Sequence, residues 1–282
     1  MKIDRLLKAA SYRLAVRFPS YVEGVIKGNP IRAYWYRDIK NFGDLFTPVL
    51  LRHFGFTPIH TYPINAELIG VGSILEHANE LFEGTVLGSG FIFEHSRMEL
   101  MHARVLAVRG RLTRERLGSR HRNALLGDPG LLAPLLLAAQ PPKRYVLGIV
   151  PQHSNMNPSY LSKITAKYQD DIRVIDVMND PRTVIEALAG CEHILSASLH
   201  GLVVADALGI PSGWIAEKSL LGGRFKFDDY YSPFGGTQQN PANLQGDETL
   251  SKLIAHTTTQ PTAAVSELQG TIKNLFESLR KD

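Results

Sequence analysis

Short apolar segments alternate with amphipathic ones along most of the chain, and glycine or proline separates many of them. In the first half, this pattern predicts strands at residues 31–36, 67–75, 85–87, 104–108 and 124–126, and helices at residues 43–54 and 111–117. Short apolar strands that alternate with helices are typical of a parallel sheet covered on both faces. The first half is therefore predicted to be an α/β unit.

The second half repeats this alternation, with strands predicted at residues 145–150, 172–177, 193–196 and 213–216, and helices at residues 158–168, 181–188 and 199–208. A last helix, near residues 262–279, is not assigned to either half. Residues 138–143 contain Pro141 and Pro142 and interrupt the pattern. They predict a boundary between an N-terminal lobe, residues 1–140, and a C-terminal lobe, residues 144–282. Two Rossmann-like lobes predict a ligand cleft between them, at the carboxyl ends of both sheets.

The composition excludes several classes of protein. Of the 282 residues, 44% are hydrophobic and 21% are charged, which is ordinary for a globular protein and unlike a disordered or fibrous one. The single cysteine, Cys191, excludes an intramolecular disulfide framework and fits a cytoplasmic location. The longest apolar run, residues 131–139, contains Pro134 and is shorter than the roughly 20 residues that span a bilayer. No transmembrane helix is therefore predicted.

Charge is concentrated in two basic segments. Residues 1–17 carry five basic side chains and one acidic one, with apolar residues at helical spacing. Two interpretations stay open: a helix that contacts an anionic membrane peripherally, at the inner face, and a docked helix with a solvated basic face. Residues 97–122 hold eight arginines and no aromatic residue, so they predict small anionic ligands rather than nucleic acid.

Several catalytic motifs are absent from the sequence, including the phosphate-binding G-x-x-x-x-G-K-[ST] loop, H-E-x-x-H, G-x-S-x-G and two aspartates separated by one residue. We therefore expect no divalent metal and no bound cofactor. Polar junctions remain after predicted strands. They are N-F-G-D at 41–44, V-R-G-R-L-T at 108–113, G-D-P-G at 127–130 and S-A-S-L-H-G at 196–201.

These junctions, in this order and followed by K-F-D-D-Y at 226–230, resemble the motifs of the polysaccharide pyruvyltransferase family over about residues 34–231. The continuation of H-G to G-I-P at 209–211 strengthens the resemblance. Many family members carry arginine two residues before the histidine, where this chain has Ser198. The serine form resembles the branch that acts on bacterial exopolysaccharides. It lacks one anion-binding charge, which other cations must replace.

The resemblance implies two lobes similar to the glycosyltransferase B architecture. It also implies phosphoenolpyruvate as co-substrate and a pyruvate ketal as product, formed on two hydroxyls of a sugar in an exopolysaccharide or its lipid-linked repeat unit. Two other functions stay open. A nucleotide-sugar glycosyltransferase of similar fold is one, since fold does not determine function. The second is a non-catalytic relative that binds glycans or anions.

The resemblance points to His200 as the catalytic acid or base, because histidine titrates near neutrality; the alternative is a structural histidine in the first helical turn. A donor with a carboxylate and a phosphate needs a forked cation and a helix N-terminus. Arg109 is expected to supply the first. The residues of the helix start, Ser198, Leu199 and Gly201, are expected to supply the second.

Lys226 is expected to reach the donor phosphate, with an ion pair to Asp228 as the alternative. The acceptor side of the cleft is predicted to contain Asn41, Asp44, His153 and Asp128. Structural alternatives accompany three of them. Asp44 is equally suited to cap a helix, Asp128 precedes a proline and fits a turn, and His153 fits a solvent-exposed loop.

Overall fold

A computed structural model describes residues 18–217, 220–235 and 240–279. The predicted basic helix at residues 1–17 lies outside this part of the chain. The described strands are β1 (Pro30–Tyr34), β2 (Thr57–His60), β3 (Leu68–Ile69), β4 (Thr85–Leu87), β5 (Arg104–Val108), β6 (Leu125–Leu126), β7 (Tyr145–Val150), β8 (Ile172–Val174), β9 (Cys191–Ser196) and β10 (Ser212–Trp214). The α-helices are α1 (Phe18–Lys27), α2 (Phe46–His53), α3 (Arg111–Arg116), α4 (Ser159–Lys167), α5 (Pro181–Ala189), α6 (Leu199–Ala207), α7 (Phe225–Tyr231), α8 (Leu250–Ile254) and α9 (Thr262–Ser278).

The strands form two parallel sheets, one in each half of the chain. The first sheet has the order β2-β1-β3-β4-β5-β6, and the second has the order β10-β9-β7-β8. Every pairing between these strands is parallel. The predicted α/β fold with two Rossmann-like lobes is confirmed, and the chain passes between the sheets through the proline-containing linker.

Most strands differ from their predicted bounds by up to three residues at an end, and two departures are larger. β2 is not predicted, because Pro58 and His60 obscure its apolar pattern; it lies at the edge of its sheet, where a missing backbone N–H is tolerated. The strand predicted at residues 67–75 ends at Ile69. Gly72 has a φ of +117°, a backbone conformation that turns the chain away from the sheet.

C-terminal elements pack back against the N-terminal lobe. The ring of Phe276 in α9 stacks on Phe54 with 5.0 Å between the centroids. In the same helix, the Gln269 side chain donates to the backbone oxygens of Leu131 and Ala207, so α9 contacts both halves of the chain. In the described residues, none of the helices combines the length and the apolar character needed to cross a membrane.

Candidate functional site

A cavity of about 300 Å³ lies between the two lobes, at the carboxyl ends of the strands. The N-terminal lobe contributes Tyr36, Ile39, Asn41, Asp44, Ser73, Ile74, His77 and Ile92 to its wall. The C-terminal half contributes Gln152, His153, Ala197, Ser198, Leu199, His200, Leu221 and Lys226. This is the position in which open α/β folds bind ligands.

A tight turn between β9 and α6 brings His200 to the cavity. The Ser196 hydroxyl accepts a hydrogen bond from the Ser198 backbone N–H at 3.0 Å and donates one to the Ser198 carbonyl at 2.7 Å. Gly201 packs directly on the Ser196 side chain, and a Cβ at this position would overlap the hydroxyl oxygen. The S-A-S-L-H-G sequence therefore forms a compact turn with His200 in the first turn of α6.

The His200 ring is held between the lobes. Phe46 stacks on it with 6.0 Å between ring centroids, and Phe42 meets it edge-on at 6.3 Å. A Cβ on residue 43 would overlap His200 Nδ1, so glycine is required there. The N-F-G-D and S-L-H-G junctions, far apart in sequence, are thus in direct contact.

Asp128 lies beside the other ring nitrogen. Its Oδ2 is 3.8 Å from His200 Nε2, and within the described residues neither atom has a hydrogen-bond partner. Burial, with the charges of Arg109 and Lys226, lowers the pKa of His200 to about 3. Burial also raises the pKa of Asp128 to about 6. The arrangement is a neutral imidazole next to a buried carboxyl group.

Asp128 also forms the turn predicted for it. Its Oδ1 accepts from the backbone N–H of Gly130 at 2.8 Å, which caps the 3₁₀ helix Pro129–Leu136. One carboxyl oxygen is thereby used structurally, and the second faces His200. The structural and functional interpretations of this residue are therefore compatible.

Asp44 and Lys226 face the cavity from opposite lobes. Burial raises the pKa of Asp44 to about 7, against the opposing effect of Lys226. Burial, followed by the nearby Arg109 charge, lowers the pKa of Lys226 to about 8. Asp44 does not cap α2, whose N-cap is Leu45 without a side-chain hydrogen bond. The capping alternative for Asp44 is therefore wrong.

Lys226 is not used in an ion pair with its neighbour on α7. Asp228 instead accepts two hydrogen bonds from the Arg224 guanidinium, at 2.7 and 3.0 Å. Lys226 Nζ lies over the Phe227 ring, 5.3 Å from its centroid. Its ammonium group is thus held at the cavity wall, and the predicted alternative of a pair with Asp228 is wrong.

Arg109 differs from its expected position at the cavity. The side chain is completely buried, with its Nε donating to Asp229 Oδ2 at 2.9 Å and its Nη2 donating to the Phe91 carbonyl at 2.6 Å. Its Nη1 donates to the Ser73 hydroxyl. Ser73 lines the cavity, whereas Arg109 lies behind that wall. Nε, Nη1 and Nη2 each donate to a protein atom, which holds the guanidinium behind the wall. The assignment of Arg109 to binding of phosphoenolpyruvate stays a prediction.

The Arg109 network joins two of the sequence motifs. Asp229 accepts from the Thr113 backbone N–H at 2.8 Å and from the Thr113 hydroxyl at 2.7 Å, in addition to Arg109. A Cβ on residue 110 would overlap the Asp229 carbonyl, so Gly110 permits α7 to approach. The R-G-x-x-T and D-D-Y motifs therefore form one buried contact, which attaches the helix carrying Lys226 to the first lobe.

Comparison with known proteins decides the family. A family model described as polysaccharide pyruvyl transferase matches residues 4–219, more than half of the chain. The chain belongs to this family. The resemblance in the sequence motifs is thereby confirmed, and the general activity of the family is pyruvyl transfer in polysaccharide synthesis.

Two curated proteins are similar to this pyruvyl transferase. The uncharacterized protein L143 of Acanthamoeba polyphaga mimivirus is 27% identical over 215 residues, covering 72% of this chain and 73% of that protein. The succinoglycan biosynthesis protein ExoV of Rhizobium meliloti (strain 1021) is 25% identical over 217 residues, covering 72% of this chain and 65% of that protein. A solved structure of the wall teichoic acid polymerase TagF, H444N variant, aligns with a TM-score of 0.40 and 8% identity over 90% of each chain.

The cavity of this pyruvyl transferase contains most, but not all, of the predicted site residues. Asn41, Asp44, His153, Ser198, Leu199, His200 and Lys226 line it. Asn41 also shapes its own turn, since its Oδ1 accepts from the Gly43 N–H at 3.0 Å. Gly201 and Asp128 lie behind His200 and pack against the turns that hold it. Burial and the Lys226 charge lower the pKa of His153, so it is not a fully solvated loop residue.

Four polar residues of the wall escaped sequence analysis: Tyr36, Ser73, His77 and Gln152. Tyr36 follows β1, and His77 lies in the 3₁₀ helix after β3, where its Nδ1 is 2.9 Å from the Tyr34 hydroxyl. Gln152 follows β7, and its buried Oε1 has no hydrogen-bond partner in the described residues. Tyr36 is the last residue of a predicted strand and Gln152 closely follows another, and these positions were a usable signal. His77 has no comparable signal in its local sequence.

No group of three metal-ligating side chains converges in residues 18–217, 220–235 and 240–279. The expectation that the reaction needs no metal stays a prediction.

Proposed function

We propose that this pyruvyl transferase takes pyruvate from phosphoenolpyruvate and forms a cyclic ketal on two hydroxyls of one sugar residue. The acceptor is a bacterial exopolysaccharide unit, built on a lipid carrier. The observation that supports this most directly is the shared cavity, in which His200, the start of α6 and Lys226 face Asp44. The cavity therefore combines groups that can bind an anion with groups that can transfer a proton.

The donor's anionic groups suit the wall formed by Lys226 and α6. The first backbone N–H groups of a helix have no partners within it, and the helix dipole favours negative charge at this end. Leu199 and Ser198 place that end in the cavity. Lys226 is the cation on the same wall. In the proposal, these groups hold the phosphate and carboxylate, in place of the arginine that other family members carry at position 198.

The proposed reaction balances as follows. A proton adds to the methylene carbon of phosphoenolpyruvate, and the adjacent carbon becomes electrophilic. One sugar hydroxyl attacks that carbon and loses its proton, and phosphate leaves with its bridging oxygen. The second hydroxyl then attacks the same carbon. Two C–O bonds, one C–H bond and one phosphate O–H bond form, while the C=C π bond, the C–O bond to phosphate and two hydroxyl O–H bonds break. One hydroxyl proton replaces that taken up by carbon, and the other is carried by the released phosphate.

His200 and Asp44 are the proposed proton-transfer groups. With a pKa of about 3, the His200 ring is neutral near pH 7 before the donor binds; the anionic phosphoenolpyruvate would raise this pKa and let the ring carry the proton that is transferred. The Asp128 carboxyl group at 3.8 Å stabilises the imidazolium that forms. Asp44, on the opposite wall, has a pKa of about 7 and is suited to accept a hydroxyl proton. Tyr36 and His77 supply an aromatic face for the sugar ring.

The experiment incubates the full chain with phosphoenolpyruvate and p-nitrophenyl glycosides of glucose, galactose and mannose, each as mono- and trisaccharide, together with lipid-linked oligosaccharides from an exopolysaccharide producer. Phosphate release and a mass increase of one pyruvate less one water are measured. The proposal expects both with at least one acceptor. In a parallel incubation with nucleotide sugars, sugar transfer with release of the nucleotide, and no transfer from phosphoenolpyruvate, would support the glycosyltransferase instead. Binding of phosphoenolpyruvate without turnover would support the non-catalytic relative.

A lipid-linked acceptor requires contact with the cytoplasmic face of the membrane. The basic segment 1–17 is the proposed route, since each lysine or arginine near an anionic surface contributes about 1 kcal/mol. Co-sedimentation with anionic vesicles is compared between the full chain and a chain without residues 1–17, at low and high salt. Salt-sensitive binding of the full chain alone is expected. Equal sedimentation of both chains would contradict this route.

A further inference from the structure

A second cavity, of about 460 Å³, lies on the C-terminal lobe beside the first one. Its lining comes from the turn after β7, the start of α4, the residues after β10 and residues 243–245. Ala242 extends the second sheet here, because its N–H donates to the Trp214 carbonyl at 2.7 Å and its carbonyl accepts from the Ala216 N–H at 2.9 Å. The second cavity is therefore at the carboxyl end of the sheet, the same end as the proposed reaction site.

A single turn separates the two cavities. Gln152 and His153 line the first cavity, and Asn155 lines the second. The Asn155 N–H donates to the Gln152 carbonyl at 2.9 Å, so these residues form one tight turn. The neighbouring strands are arranged in the same way. Ser198, after β9, lines the first cavity, and Glu217, after the adjacent β10, lines the second.

The floor of the second cavity presents a positioned carboxylate. Glu217 Oε2 accepts from the Asn155 side-chain amide at 3.2 Å, and its Oε1 accepts from the Tyr160 hydroxyl at 3.2 Å. Each carboxylate oxygen can accept a further hydrogen bond. The exposed side chains of Asn243 and Gln245 are at the rim. They offer amide groups that both donate and accept.

The chemistry of this lining selects among ligands. Glu217 is the charged residue of the described lining, and Lys163, beside it, donates to the Gln245 carbonyl at 3.4 Å. The charge within the lining is therefore negative, which disfavours phosphoenolpyruvate and other anions there. A carboxylate flanked by amides suits a ligand with hydroxyl groups. A hydroxyl can donate a hydrogen bond to the carboxylate, and it can both donate to and accept from an amide. Pro158 and Leu244 add apolar surface for the C–H faces of a sugar ring.

We propose that the second cavity binds a neutral sugar residue of the acceptor chain, next to the residue that receives pyruvate. The acceptor would then extend from the first cavity over the 152–155 turn, with Glu217 as a specificity-determining residue. This inference rests on the proposed function, because it assigns the acceptor of that reaction. It predicts that longer neutral acceptors bind better than their terminal monosaccharides.

Binding is measured on the full chain by ligand-observed NMR, without phosphoenolpyruvate. The probes are neutral mono-, di- and tetrasaccharides prepared from a glucan, a galactan and a mannan. In at least one series, we expect the tetrasaccharide to bind about tenfold or more tightly than the monosaccharide, the gain from one charge-assisted hydrogen bond with its neighbours. No gain with length in all of the series would overturn the proposal.

Three variants test whether Glu217 supplies the gain. Glu217→Gln retains the shape of the side chain and removes its charge, and Asn243→Ala removes an exposed amide without disturbing the core. Both are expected to reduce the length-dependent gain. Glu186→Gln is the matched control, because this exposed carboxylate is in the same lobe at the opposite end of the sheet. An identical gain in wild type and Glu217→Gln would also overturn the proposal.

The two proposals fail separately. A chain that transfers pyruvate equally well to short and long glycosides retains the pyruvyl transferase proposal and excludes the second cavity as an acceptor subsite. A chain that binds tetrasaccharides through Glu217 but releases no phosphate from phosphoenolpyruvate retains the subsite and excludes the proposed reaction.

Discussion

Two charged groups of residues on either side of the cavity wall have opposite properties. Behind the wall, Arg109 and Asp229 form a pair at 2.9 Å with both side chains completely buried, and every polar contact is made by protein. In the cavity, Asp44 and Lys226 influence each other's pKa without a hydrogen bond to the described protein. Each group takes one member from the K-F-D-D-Y motif, Asp229 behind the wall and Lys226 in the cavity. Charged groups that are hydrogen-bonded to other protein groups stabilise the fold. Charged groups that lack such hydrogen bonds are available to bind a ligand.

The largest expected effect is on catalysis by His200. His200→Gln fills much of the same volume but cannot exchange a proton near neutrality, so pyruvate transfer should fall about 10²–10⁴-fold. Phosphate release from phosphoenolpyruvate measures this loss, and thermal unfolding verifies the fold. His193→Gln is the control, since this histidine lies at the other end of β9 and pairs with Thr257. Wild-type turnover in His200→Gln would make the residue structural and place the chemistry elsewhere in the cavity.

The second prediction concerns the buried ion pair between Arg109 and Asp229, behind the cavity wall. Arg109→Ala leaves Asp229 buried without its partner, which typically costs about 3–5 kcal/mol of unfolding free energy. Denaturant unfolding measures the loss, and Arg114→Ala, on α3 with its guanidinium donating to the Ala124 carbonyl, is the control. A variant that unfolds like wild type but binds phosphoenolpyruvate weakly would instead support direct donor binding by Arg109.

Lys226 provides the third test, on the cavity side. Lys226→Gln removes the cation of the α6 wall, and donor affinity should fall about tenfold or more, as expected for a charge-assisted contact. Titration calorimetry with phosphoenolpyruvate measures this change. Lys167→Gln is the control, because that lysine also lies over a neighbouring ring, Tyr168, but away from the cavity. Equal donor affinity in Lys226→Gln and wild type would move the phosphate site away from α7.

The smallest expected effect concerns pH. Asp44, with a pKa of about 7, must be ionised to accept a proton, so kcat/KM should fall as pH decreases through about 7. Lys226, with a pKa of about 8, must be protonated to bind phosphate, so donor binding should weaken as pH rises through about 8. Asp44→Asn should remove the acidic limb of the profile, and Asp38→Asn, in the same loop, should leave it unchanged. If the acidic limb of the pH profile were still present in Asp44→Asn, the titrating group would be a residue other than Asp44.

Local sequence patterns predicted the fold in detail where strands were apolar and regular. β5 and β7 have their predicted bounds, and α6 differs from its predicted end by one residue. β2 was missed because Pro58 and His60 obscure its apolar pattern. Its pairing with β1 cannot be predicted from its own residues. The predicted ambiguity of the last helix is explained by the structure, since α9 contacts both halves.

The candidate site was predictable as a set of junctions, and His200, Asp44 and Lys226 do meet at one cavity. The direction of each side chain was not predictable. Arg109 directly follows a strand, as predicted. Its ion-pair partner, Asp229, is 120 residues away in the sequence. A residue can lie close to a cleft without its side chain being exposed to that cleft. Whether the side chain is exposed depends on how the surrounding residues pack.

The sequence by itself determined the alternation of strands and helices, the order of the polar junctions and the family. These follow from periodicity and from residue types at fixed local spacing. Tertiary structure alone decided that Asp128 faces His200, that Arg109 is hydrogen-bonded to Asp229, Ser73 and Phe91 behind the wall and that Glu217 lines a second cavity. These arrangements depend on long-range contacts, and burial in those contacts determines which charged groups are satisfied and which are left for a ligand.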